Sequence, residues 1–293
     1  MKTNKGVILL IVLLSLIILG LIGLMTLVIN KKYNFNINKF TQRIEKLQID
    51  ESYENTYEKI NINSDASDVI IKKSENENIY LKVYSEKEYS KVENNETELN
   101  IEVKQKKCGI ICINNKISKV ELYLPENYEK EINIENKYGD IEIDSFEKAN
   151  LKIKEDVGDI KLEKANIVDI KNNYGDIKIN EINKGTIKES AGDIKINKVN
   201  NIKIENNYGD TLIEEINEYV EIEEDAGDIK INTLNIKQNS TIKNNAGDID
   251  INNTNDIYID AKTDVGSTKI NNNNNKAEIT LKIEDNVGDI KVN

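Results

Sequence analysis

Eight aspartates recur directly behind a glycine in this chain, Asp289 and a row of seven ahead of it: Asp140, Asp159, Asp176, Asp193, Asp210, Asp228 and Asp248. Brought onto one edge, they would form a carboxylate ladder, and clustered carboxylate oxygens are what a hard cation such as calcium takes as ligands. The calcium-binding nonapeptide pattern, however, has more glycine and a nine-residue period, and the chain has neither. Lysines recur two residues after the aspartates, at Lys161, Lys178, Lys195, Lys230 and Lys291. Residues two apart on a strand share a face, so a lysine row can offset the aspartate row. The structural reading, which is preferred, has each Asp capping its own turn beside a lysine ladder. The residue before each glycine runs Tyr138, Val157, Tyr174, Ala191, Tyr208, Ala226. This large–small alternation fits interlocked packing at a corner. The alternative is a spaced aromatic row that stacks on sugar rings; packing is the expectation.

Composition removes several other chemistries. There is no His, so no Ser-His-Asp or Cys-His pair, no usual zinc site and no histidine general base. The single Arg, Arg43, leaves no arginine-rich patch for phosphates, and no nucleic-acid partner is expected. Polysaccharide-cleaving β-helix enzymes need long loops that form a cleft with clustered acids, whereas these repeats are short and uniform. No catalytic, cofactor-binding or metal-binding residue is assigned, and no cofactor is expected. The net charge of −12 is uneven: residues 1–130 hold 19 basic and 18 acidic side chains, and residues 131–293 hold 21 and 34. Such an acidic half keeps a repetitive surface soluble, or recruits cationic partners.

These side chains are positioned by a repeat. Gly139, Gly158, Gly175, Gly192, Gly209, Gly227, Gly247, Gly266 and Gly288 lie 17 to 22 residues apart. The fourth residue after each is aliphatic in all nine copies, from Ile143 and Leu162 to Val292. The second residue after is Ile in seven copies, and the fifth before is Ile in eight. A further apolar position seven residues after the glycine holds Phe146, Ile182, Val199, Ile216 and Leu234. Period-2 alternation on both sides of a turn predicts two short strands per repeat. One repeat cannot bury its apolar face alone, but stacked copies share a continuous core. Recurrence of one residue type at one offset favours in-register stacking over an antiparallel meander of nine hairpins. The predicted fold is all-β: a parallel β-solenoid of about nine short coils over residues 131–293, some 40 Å long at about 4.8 Å per coil. The glycines are expected at corners that require φ > 0.

Ahead of the repeat, residues 57–130 read as a less regular β region capping the solenoid, with short strands such as Ile79–Tyr84 and Val120–Leu124. Residues 31–56 read as a linker; Phe40, Ile44 and Leu47 stand at helical spacing and allow a short amphipathic helix. Val7–Ile29 is 23 residues without a charge, enough to span a bilayer. With no small-residue cleavage site at its end, it reads as an uncleaved signal-anchor, residues 1–30, with the long C-terminal domain exported. Cys108 and Cys112 enclose Gly109-Ile110-Ile111. They pair only if the chain turns between them; a disulfide and two buried thiols both remain open.

Leu122-Tyr123-Leu124-Pro125, Ile132-Asn133-Ile134 and Tyr138-Gly139-Asp140-Ile141-Glu142-Ile143 resemble the bacterial "putative adhesin" domain of unknown function. That family carries repeated Gly-Asp-Ile/Val-x-Ile/Val units behind a less regular β region, and the resemblance covers residues 57–293. It implies an envelope location and brings no catalytic residues; the run Asn271–Asn275 departs from it and is read as a looser corner. The expected function is a single-pass, membrane-anchored module, its C-terminal domain extracellular, that binds an envelope polymer, surface or protein without catalysis. Because some relatives accompany envelope stress systems, a regulator that senses cationic ligands or contacts a membrane partner is the alternative. A carbohydrate-active β-helix enzyme is the third and weakest.

Overall fold

The computed structural model describes residues 44–105 and 117–293, all within the unit Ile44–Asn293. The apolar segment 7–29 and the pair Cys108 and Cys112 lie outside the described residues. Among the described residues no helix is long and apolar enough to cross a membrane.

The fold is all-β. Its strands are β1 (Leu47–Tyr53), β2 (Lys59–Ser64), β3 (Ser67–Ser74), β4 (Ile79–Tyr84), β5 (Ser90–Asn94), β6 (Glu98–Val103), β7 (Ser118–Pro125) and β8 (Glu131–Tyr138). Five long, bent strands follow: β9 (Ile141–Val157), β10 (Ile160–Tyr174), β11 (Ile177–Ala191), β12 (Ile194–Tyr208) and β13 (Thr211–Ala226). Shorter ones complete the chain: β14 (Ile229–Leu234), β15 (Ser240–Asn244), β16 (Ile249–Thr254), β17 (Tyr258–Val265), β18 (Thr268–Ile270), β19 (Thr280–Val287) and β20 (Ile290–Val292).

From β8 to β16 the coils stack as a parallel β-solenoid, with equivalent repeat positions in register: Ile160 opposite Ile177, Ile177 opposite Ile194, Ile194 opposite Thr211. Repeat lengths differ, and irregularities such as that between Ala165 and Ile167 absorb the difference. The aliphatic positions named above form one buried cluster: Ile143, Leu162, Ile179, Ile196, Ile213, Ile231, Ile251 and Val292 are all at most 3% exposed. Phe146, Ile182, Val199, Ile216 and Leu234 join it.

Several expectations need correction. The supposed linker 31–56 contains β1, which pairs antiparallel with β4; Leu47, Ile49 and Tyr53 follow the period of a strand. Helical spacing of Ile44 and Leu47 does not produce a helix, because Ile44 bridges Ile117 and Leu47 is already in β1. Nor is residue 131 an architectural boundary. β2 pairs parallel with β6 and β8, and β3 with β7 and β9, so β2–β3 is itself a coil between β6–β7 and β8–β9. β4, β5 and β1 then close that end with antiparallel pairings, where a parallel stack would otherwise expose an open edge.

The other end is also out of chain order. β15 and β16 do not pair with β17 and β18; they pair with β19 and β20. β17 pairs with β19, and β18 with β20. The chain therefore passes over one level, forms the outermost coil, and returns to fill the gap. The run Asn271–Asn275 carries the return, and it is a cap rather than a loose corner. The Asn273 side chain accepts from Ile259 N (2.9 Å) and donates to Ile259 O (2.9 Å), as a neighbouring strand would. Asn274 N donates to Ile257 O at 3.1 Å.

Candidate functional site

The glycine corners form one edge of the stack, and close approach decides their residue type. A Cβ on Gly158 would stand 2.0 Å from Gly139 O, and one on Gly175 2.2 Å from Gly158 O. Gly175 also has φ +132°, as expected for a corner, whereas Gly158 has no such positive φ. What unites the corners is the carbonyl of the next coil, which leaves no room for a side chain.

The aspartates explain themselves in the same way. At the corner the Asp N–H has no strand carbonyl to meet, and a backbone N–H is a strong donor that takes another partner. The preceding coil's carboxylate supplies it. Asp159 N donates to Asp140 Oδ1 (3.0 Å), Asp176 N to Asp159 Oδ1 (2.9 Å), Asp193 N to Asp176 Oδ1 (3.2 Å) and Asp210 N to Asp193 Oδ1 (2.9 Å). The series continues through Asp228 and Asp248 (2.9 and 2.8 Å). Thus all seven predicted aspartates come together, but each caps the neighbouring turn and not its own. One member escaped the glycine-based reading, Asp68, whose Oδ1 accepts from Asp140 N (3.2 Å); Asp289, behind Gly288, joins the ladder at the other end and accepts from Ser267 N (2.8 Å). Asp68 follows Ser67, so only its register with Asp140 identifies it.

The lysine row offsets this ladder weakly. Lys161, Lys178 and Lys195 are stacked neighbours. Lys178 reaches its own Asp176 (3.5 Å), but Lys161 pairs with Glu142 (3.2 Å) and Lys291 with Asp250 (3.8 Å). Among the described residues no group of three acidic or cysteine side chains is placed to hold a metal ion.

Three residues before each glycine lies a column that sequence reading missed. In stack order it runs Ser64, Asn136, Glu155, Asn172, Glu189, Asn206, Glu224, Asn244, Asp285 and Thr263, in register throughout. Apart from Thr263 all are at most 3% exposed. The amides bond the corner: Asn172 donates to Gly175 O (3.0 Å) and Asn206 to Gly209 O (2.9 Å). Glu189 Oε1 accepts from Ala191 N (3.1 Å), and Thr211 donates to Glu224 Oε2 (2.6 Å). Along most of the column one oxygen is left without a partner: Oδ1 of Asn136, Asn172, Asn206 and Asp285, Oε2 of Glu155 and Glu189, and Oε1 of Glu224. An amide oxygen and an ionised carboxylate both only accept, whereas a protonated carboxyl can donate. Burial pushes Glu155 up to about 8, Glu189 up to about 7 and Glu224 up to about 8, and raises Asp285 as well. The signal was available in the sequence: alternation places this position inside, together with the fifth and seventh before glycine, but a search for apolar residues passes over it.

Immediately outside that column stand Tyr138, Tyr174 and Tyr208, 56%, 60% and 64% exposed. The packing reading of these residues is therefore wrong. The residue before a corner stands two positions after the buried column, on the face that strict alternation would bury; the pattern breaks at the corner, where both residues preceding the glycine lie outside the core.

Comparison with known proteins places this architecture. The Toastrack DUF4097 family matches residues 57–293. Among curated proteins nothing matches the chain. A solved Bacteroides fragilis structure described as a "putative adhesin" is 15% identical, covers 85% of this chain and 97% of its own, and has a TM-score of 0.44. A Parabacteroides distasonis structure described as a "putative lipid binding protein" is also 15% identical, with 86% and 100% covered and a TM-score of 0.49. A Clostridium sporogenes "putative cell adhesion protein" is 18% identical, with 84% and 99% covered and a TM-score of 0.22.

Proposed function

The chain belongs to the Toastrack DUF4097 family, and on that premise we propose that it is a membrane-anchored, surface-exposed, adhesin-like module that binds without catalysis. The observation that carries the reading is repetition. One hydrogen-bonded edge presents the same outward positions coil after coil, at a spacing of about 4.8 Å fixed by strand pairing. Such an edge holds a polymer or a surface through many weak contacts that add as a multivalent array. The anchor rests on the 23 uncharged residues Val7–Ile29. A long domain that follows such a segment is translocated largely regardless of its charge.

The test treats intact cells with external protease and follows the domain, then measures retention of the released domain on isolated envelope material. Removal of the domain by protease and its retention on envelope are expected. A protected domain, a mature N-terminus near residue 30, or no retention on any envelope fraction overturns the reading.

A further inference from the structure

We propose that Tyr138, Tyr174 and Tyr208 form a track for an extended, neutral β-1,4-linked glycan, each ring stacking on every second sugar. The inference rests on the binding-module reading and gives it a ligand class. The tyrosines occupy one column: Tyr138 and Tyr174 both register with Val157, Tyr174 with Ala191, and Tyr208 with Ala226. They therefore stand two coils apart, about 9.6 Å. All three are more than half exposed, in contrast to Tyr57 and Tyr128, which are 6% and 2% exposed in the core. None of the three hydroxyls makes a hydrogen bond among the described residues. A fold that needed these rings for packing would bury them; here they are held out to solvent at a fixed interval.

The interval selects the ligand. In a β-1,4-linked pyranose chain successive rings are flipped, so the same apolar C–H face returns every second sugar. One disaccharide of such an extended chain is about as long as two coils of the stack. Rigid aromatic rings with a polar tip suit a partner that is apolar on its face and polar on its rim. The rim is provided for on both sides. Asp156, Asn173, Asn207 and Asp225 precede the tyrosine column, and Asp140, Asp176 and Asp210 follow it. The corner ladder uses one carboxylate oxygen of each of the latter; the second oxygen of Asp140 and of Asp210 remains to accept from a sugar hydroxyl, while that of Asp176 faces Lys178 Nζ at 3.5 Å. A depression of about 320 Å³ over the strand positions just ahead of the tyrosine column is lined by Glu205, Asn207, Glu223, Asp225, Lys243 and Asn245. An edge so rich in carboxylates repels anionic polymers and accepts from hydroxyl groups.

The test titrates the full chain in detergent with chitohexaose and cellohexaose, with maltohexaose as an α-1,4-linked control. Both β-linked hexamers should bind, at least about tenfold more tightly than the corresponding dimers, because a hexamer spans all three rings. Replacing Tyr138, Tyr174 and Tyr208 together by Ala should lower that affinity at least about tenfold, with the melting temperature unchanged because the rings are exposed. Replacement by Phe should retain binding. Equal affinity for maltohexaose, or binding unchanged in the triple Ala variant, overturns the track. Retention on envelope material with no hexamer bound also overturns it while leaving the binding module standing; retention on nothing overturns the module itself.

Discussion

At the scale of single residues, the buried alternation of amide and carboxylic acid makes the stack sensitive to pH. Glu155, Glu189 and Glu224 take up protons more readily folded than unfolded, their ordinary value being 4.5 and their folded values about 8, 7 and 8. A raised folded value means that the native state binds more protons between the two values, so stability falls as pH rises through that window. Below it the contribution is fully present. Surface acids act in the opposite sense: Lys59, Lys164 and Lys203 hold Glu131, Glu181 and Glu221 low, and that contribution is lost as pH falls below their ordinary range. The domain should therefore be most stable at mildly acidic pH, and should lose at least several degrees of melting temperature between about pH 5 and pH 9. Replacing the three glutamates by Gln gives each orphaned Asn oxygen a neutral donor at every pH, and should flatten that decline. Melting curves across the pH range check this, and an equal decline in the Gln variant would show that the buried acids are not its source.

At the scale of the strand, alternation sets which side chains the stack can lose. Ile179 is 3% exposed, whereas Lys178 beside it is exposed. Ile179→Asp should cost several kcal/mol, because it leaves an unpaired charge in the core. Lys178→Ser removes one weak, exposed ion pair with Asp176 and should cost little. Chemical denaturation separates the two, and comparable losses would refute the assigned faces. This part of the fold was legible because glycine marks the corner and isoleucine marks the inner face at constant offsets. The interior polar column was half legible: the offsets are regular, but the residues are of the kind that a hydrophobic reading assigns to the surface. The exposure of Tyr174 was misread for the complementary reason. An aromatic residue beside a small one reads as packing, and alternation from the buried Asn172 two residues earlier would also put Tyr174 inside; the strand pattern breaks at the corner and leaves the ring exposed.

At the scale of the whole described unit, sequence order and spatial order part company, and no offset within a repeat reveals it. A repeat read from sequence predicts that each unit stacks on its predecessor. Here Gly288 packs on Gly247 and Gly266 packs on Gly288, and the aspartate ladder follows the same order, from Asp248 to Asp289 to Ser267. Three levels thus agree that the last repeat lies inside the one before it: backbone pairing, corner packing and side-chain bonding. The physical consequence concerns truncation. In a solenoid stacked in chain order, removing the last repeat exposes its predecessor but leaves that predecessor paired. Among the described residues β17 pairs only with β19, and β18 only with β20. A chain ended after Ala277 therefore deprives the outermost coil of its sole support, while β14 and β16 keep their pairing. Under limited proteolysis, such a variant should be cut within residues 257–277 and remain protected over residues 141–254, whereas the full chain is protected across both. The locally opened segment reports loss of its own interface rather than global unfolding. If residues 257–277 stay as protected as in the full chain, β17 and β18 have closed down onto β15 and β16, and the returning repeat is not what holds the outermost coil in place.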